Sequence, residues 1–321
     1  MARFPFPMPR QTSTRRGGYS QRQRPMFGVG RPSSAGGASR GRGMGGLKMR
    51  LLIAVGLALF ALVSYYGNPG DENQITGAME RVALAEEDQE MALGRQAAPQ
   101  MVQQHGGASR DRGAQQLVDE IGDELLVALD RWIADREAET GEELTNPYQF
   151  EFTLLADPKT VNAFALPGGQ VFITEALFER LETHGQLAGV LGHEVGHVIA
   201  RHGNKRMAKQ KLFSGLAMAG GALGGDANSA RTAQMITQMV SMQYGRQDEL
   251  ESDGWGVELT ALSGYDPRAM IGLMRILDEA SGGGGPPEML STHPKPANRV
   301  QYIQGVIKEK FPNGLPDGLR P

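Results

Sequence analysis

The chain of 321 residues has no cysteine. That excludes disulfide bridges, thiolate metal ligands, a cysteine nucleophile and a lipidated cysteine. Histidine is scarce, with six in the chain. Acid is missing from the first 70 residues, Asp71 being the first. Of the 33 basic residues, 11 lie within the first fifty, so that stretch carries +11 while residues 51–321 carry −14. Such a split excludes a single uniform globule, although the overall charge is only −3. The length fits one or two domains, and an apolar content of 40% suffices for a sizeable core once the basic arm is set aside.

Residues 1–47 are rich in Gly, Arg, Pro, Ser and Gln and have almost no apolar periodicity. A segment of that kind cannot bury enough apolar area to offset its ordering entropy, so a disordered basic arm is expected. Its Arg-Gly spacing resembles RNA-binding tails, but a cationic, membrane-proximal tail is the plainer reading, and no nucleic-acid partner is expected. The reason follows at once. Leu51 to Tyr66 is uncharged, and as a helix it rises about 24 Å, close to the thickness of a hydrocarbon core. Lys48 and Arg50 flank one end and Tyr65 and Tyr66 the other, as membrane interfaces favour. A cleaved signal peptide is disfavoured because the nearby Ala83-Leu84-Ala85 lies well beyond the apolar run. The expectation is a single transmembrane anchor over 48–66 in a bacterial cytoplasmic membrane. The basic N-terminus would stay in the cytoplasm and the acidic remainder would face outward. Residues 67–75 read as a polar linker.

Helical spacing is expected from about Thr76 to Gly106 and again over 114–138. Phe150, Phe152 and Leu154 then alternate as a strand, and two extended pieces, 161–166 and 170–174, are joined by Pro167-Gly168-Gly169. A helical run is expected from near His184-Gly185 through residues 186–203, and another helix over 229–263. The fold class is therefore α+β, mostly helical, with a small sheet, and the tail is placed at 312–321.

Within the apolar run 186–203 stands His193-Glu194-Val195-Gly196-His197. Two His at i and i+4 share a helical face and can hold one tetrahedral ion, and Glu194 beside them can act as a general base. Two buried His and a buried Glu without a partner would cost several kcal/mol, which favours a metal, one Zn2+ per chain, over chance. The extended metzincin form is excluded, because Ala200 and Gly203 occupy its required positions and His202 is displaced by one. A third ligand is sought in Glu249 and Asp253, which lie one helical turn apart; one would bind and the other brace a ligand. Glu251 points nearly the opposite way and reads as a surface residue. His105, His184 and His202 read as structural or surface positions. The apolar, Gly-rich stretch 212–223 is too short to span a bilayer.

Four segments together resemble the HtpX and CAAX-prenyl-protease-type gluzincin metallopeptidases, nearest their BepA-like envelope quality-control branch. They are 162–174, 193–203, Glu249 to Asp253 and 291–299. The resemblance covers about residues 76–310 and implies a zincin-like domain over 76–311. It makes His193, His197 and Glu249 the zinc ligands, Glu194 the base, and Asp253 a supporting carboxylate or proton donor. It also brings His293 to the zinc and implies that Arg299 orients the same loop. Residues 162–174 would form an edge strand over the site, with Asn162, Ala163, Gly169 and Val171 binding an extended substrate. The function implied is a membrane-anchored endopeptidase acting on unfolded or misassembled envelope proteins. The alternative is an envelope chaperone or assembly factor with a latent, self-inhibited protease.

Overall fold

A computed structural model describes residues 44–224, 244–280, 289, 293 and 298–321. The arm up to residue 43, positions 229–243 of the expected long helix, and most of 291–297 lie outside the described residues. In chain order the elements are α1 (Met44–Tyr66), β1 (Asp71–Glu72), β2 (Met79–Glu80), α2 (Glu87–Gln104), α3 (Arg112–Thr140), β3 (Glu151–Leu155), β4 (Ala163–Ala165), β5 (Gln170–Thr174), α4 (Glu175–Phe178), α5 (His184–Ile199), α6 (His202–Gly224), α7 (Arg246–Leu262), α8 (Ala269–Ala280) and α9 (Arg299–Lys310).

Helix α5 is the axis of the fold. Every residue from Gly185 to Ile199 is buried, which is why its sequence is apolar on all sides rather than along one stripe. Thr183 starts it, its hydroxyl accepting from the Gln186 amide. Around it pack α3, α7, α8 and the edge of the sheet. The crossing of α5 and α7 is close because glycines face it: a Cβ on Gly196 would stand 2.8 Å from the Cβ of Trp255 and 3.2 Å from the Cα of Ser252. The sheet has the order β3-β5-β4, with β3 parallel and β4 antiparallel to β5. β5 is buried throughout, whereas β4 beside α5 keeps an edge with no strand partner among the described residues.

Three expectations need correction. The helix expected from Thr76 begins only at Glu87. The chain before it is extended because the backbone N–H groups of Ala83 and Leu84 donate to the side-chain Oδ1 of Asn204 and the Leu84 and Ala85 carbonyls accept from Arg201. The linker expected over 67–75 is partly folded: Ile75 is fully buried and Asn73 donates to the Ile199 carbonyl at 2.7 Å. The tail over 312–321 is also tied down, with Arg320 exchanging backbone bonds with Gly264 and Asp266 and Pro321 accepting from Gly185.

Helix α1 meets the anchor expectation by length and composition. Its stretch Gly46–Tyr66 has a mean hydropathy of 2.0 and is only 11% buried. Leu52, Phe60 and Val63 are more than 60% exposed, so the helix turns apolar surface outward on most sides. Among the described residues its one extensive partner is α6. The Cβ of Ala61 lies so near Gly215 that any side chain there would clash.

Candidate metal centre

Helix α5 brings His193, Glu194 and His197 to one place, and α7 lays Glu249 and Asp253 against them. His293 comes in from the segment before α9, and Arg299 from the first residue of α9. All seven are buried to 2% exposure or less. The donor atoms of His193, His197, Glu249 and His293 fall within 4.8 Å of one another. Asn162, Ala163, Gly169 and Val171 lie in or beside the hairpin of β4 and β5 rather than in this cluster.

Hydrogen bonds assign the imidazole tautomers. Nδ1 of His193 lies 3.1 Å from Oδ1 of Asp253, and a carboxylate can only accept, so Nδ1 carries the proton. Nε2 of His202 lies 3.0 Å from Oε2 of Glu251, so His202 is protonated there and its Nδ1 is an acceptor. Into that acceptor, 2.9 Å away, His197 donates from Nδ1, and the Ser252 hydroxyl also lies within 3.2 Å. Both His193 and His197 are then left with bare Nε2 lone pairs, 3.1 Å apart. Two lone pairs facing each other are repulsive unless a cation stands between them.

Other polar atoms are orphaned alongside. Among the described residues, both oxygens of Glu194 and Nε2 of His293 are buried without a hydrogen-bond partner, while Oε2 of Glu249 faces the Arg299 guanidinium at 3.2 Å. Unpaired buried acceptors of this kind are costly, and a bound cation satisfies them. The spacings agree with a small tetrahedral ion, whose ligand atoms stand about 3.4 Å apart. Oε1 of Glu249 is 3.5 Å from Nε2 of His197, and its Oε2 is 3.7 Å from Nε2 of His193. His293 approaches through Nδ1, 3.1 Å from Glu249, and places Nε2 3.8 Å from Glu194.

Electrostatics sort the carboxylates. Burial pushes the Glu194 carboxyl up, only partly opposed by His293 and His193. Burial also acts to raise Glu249, but His293, His193 and Arg299 outweigh it and hold that carboxyl below its ordinary range. Asp253 is likewise held down against burial, chiefly by Arg299, whose fork donates to both of its oxygens at 2.8 and 2.5 Å. For His197 burial and the neighbouring imidazoles favour the neutral form, the one that can ligate. So Glu249 and Asp253 are stabilised as anions, while Glu194 is a base with a raised proton affinity.

Residues 129–307, more than half the chain, match peptidase family M48. The chain belongs to this family. Among curated relatives of the M48 chain is the beta-barrel assembly-enhancing protease of Escherichia coli (strain K12), 31% identical over 203 residues, which are 60% of this chain and 41% of that protein. The mitochondrial metalloendopeptidase OMA1 of Schizosaccharomyces pombe is 31% identical over 163 residues, 50% of this chain and 48% of the relative. The human mitochondrial metalloendopeptidase OMA1 is 28% identical over 211 residues, covering 60% and 40%. The M48 chain thus spans less than half the length of these relatives.

Three expected substrate-contacting positions do not have the free backbone that role requires. Val171 lies in the central strand, paired to Phe152 on one side and Ala165 on the other. Gly169 accepts from Glu151 and donates to Leu166. Asn162 also exchanges its backbone bonds with Thr174, leaving a buried side-chain oxygen without a partner. Of the four, Ala163 alone lies on the strand with an open edge.

Sequence reasoning missed three neighbours of the cluster. His202 was read as peripheral but is fully buried and bonds His197. Glu251, expected at the surface, is half-exposed yet holds His202. Tyr244 stacks on His197 with ring centroids 4.0 Å apart, and the Arg206 guanidinium lies 4.4 Å from the centroid of the Tyr244 ring. A third histidine five residues beyond the second was the one available signal for His202.

Proposed function

We propose that this M48 chain is a membrane-anchored zinc endopeptidase whose ligands are His193, His197 and Glu249. The supporting observation is the convergence of buried, mutually facing donor atoms on an unpartnered Glu194. Zinc, when bound, lowers the pKa of water to about 7 and polarises a carbonyl oxygen. Glu194 takes the proton of the attacking water and passes it to the leaving amine; its raised proton affinity suits a group that must accept and then release. Asp253 and Arg299 fix the orientation of His193, and His202 with Glu251 fix that of His197.

An extended substrate would add to the open edge of β4, which reads backbone more than side chains. That supports unfolded or misassembled envelope proteins as substrates. Helix α1 supports an inner-membrane location with the N-terminus cytoplasmic and the peptidase domain outside. A second reading is favoured by one observation: His293 belongs to the metal-competent set and can fill the position a substrate needs. The same protein would then be an assembly factor whose protease is self-restrained.

The test is Glu194→Gln in the full-length protein. The amide preserves shape but accepts no proton, so zinc should remain near one per chain while peptide cleavage falls at least about a hundredfold. Undiminished cleavage would sink the mechanism.

A further inference from the structure

Helices α1 and α6 enclose a groove of about 460 Å³ together with residues 81–83. Its two ends differ in chemistry. At one end stand Asn68, Arg81 and Lys211, and at the other Leu57, Phe60 and Met218. The order is the same on both helices. Along α1 the lining changes from apolar to polar as the chain leaves the helix at Tyr66, and along α6 it changes from Lys211 to Met218 over about two turns. Arg81 bonds the Asn68 carbonyl and Lys211 the Ala83 carbonyl, which sets the polar ends of both helices at one level and makes them antiparallel.

The polar end is cationic and uncompensated. Arg81 and Lys211 are exposed, make no ion pair among the described residues, and share a lining that contains no acid. Arg81 lies over the ring of Tyr66, the residue expected at the membrane interface. The apolar end opens sideways, with Phe60 74% and Met218 61% exposed. A groove with cations at interface level and an apolar channel running about 16 Å inward has the polarity profile of one phospholipid in place.

We propose that this groove binds an anionic phospholipid, its phosphate between Arg81 and Lys211 and an acyl chain laid between α1 and α6. The apolar half of α6, whose sequence left its role undecided, thereby enters the outer half of the bilayer beside the anchor. The inference rests on reading α1 as membrane-crossing, and it does not depend on the metal.

The experiment takes full-length protein from bilayers of equal phosphatidylglycerol and phosphatidylcholine and counts retained lipid by native mass spectrometry. Phosphatidylglycerol should be retained over phosphatidylcholine by on the order of tenfold. The double variant Arg81→Gln, Lys211→Gln should lose that preference with unchanged zinc content, and Arg81→Lys, Lys211→Arg should keep it. Equal retention of the two lipids by the unaltered protein, an undiminished preference in the Gln variant, or displacement of the lipid by inorganic phosphate alone would each overturn the proposal. Extraction of the protein from membranes by sodium carbonate would remove the anchor reading and this inference with it. Firm membrane retention without lipid preference would remove the inference alone.

Discussion

His193 and His197 share a helical face but are held by different chemistry. His193 donates to a carboxylate that Arg299 clamps, whereas His197 bonds the His202 ring, which Glu251 holds. Removing either support frees a ring to rotate away from the cation. His202→Ala and Asp253→Asn should each lower zinc affinity about 10–100-fold, read by competition with a chromophoric chelator. Glu251→Gln keeps an oxygen that accepts from His202, so its effect should be smaller than either. Unchanged affinity in His202→Ala would show that His197 needs no such brace. The i, i+4 pair was legible because an unbroken helix fixes its geometry. His202 was not, because Arg201 takes a left-handed backbone, φ 52°, and resets the helical phase between α5 and α6. That conformation costs an ordinary side chain roughly 1 kcal/mol or more. Here it is held by the buried guanidinium, which bonds Glu90 and two carbonyls of the preceding segment.

At the scale of elements, the site depends on how closely α7 approaches α5. Gly196 permits that approach, and it stands inside the HEVGH sequence itself, between the two His. In Gly196→Ala the new methyl meets Trp255 and the backbone of Ser252, so α7 must withdraw and carry Glu249 and Asp253 with it. The expected result is a loss of about 1–3 kcal/mol in unfolding free energy together with weaker zinc binding. Denaturant titration of both proteins, with and without zinc, measures it; equal stability and equal affinity would mean that the helices can part without moving the ligands. The hairpin of β4 and β5 was legible from its alternation and from the Pro-Gly-Gly turn, where Gly168 and Gly169 both take positive φ. The late start of α2 was not, because long-range bonds from Arg201 and Asn204 to residues 83–85 override local helical preference. Likewise the pairing of α1 with α6 leaves no mark in either sequence alone, although the close approach of Ala61 to Gly215 is one of the contacts that join them.

Across the whole molecule, the charge division and the single long apolar helix were visible in the composition, and so was the mostly helical α+β class. The joining of distant segments was not. The proposed ligands come from positions 193, 197 and 249, with His293 beside them, so a bound ion ties α5 to α7 and to the segment before α9. Such a cross-link makes metal binding part of folding stability, and removal of zinc should lower the thermal midpoint by mass action. Glu249 is the decisive member of the proposed set, because it would supply the carboxylate ligand from α7, while Glu251 two residues on faces His202 instead. The direct measurement is zinc stoichiometry on purified full-length protein, unaltered and as Glu249→Gln and Glu251→Gln. The account predicts about one zinc per chain in the unaltered protein and in Glu251→Gln, and loss of zinc with a lowered thermal midpoint in Glu249→Gln. Retention of zinc by Glu249→Gln, with its loss from Glu251→Gln, would contradict it.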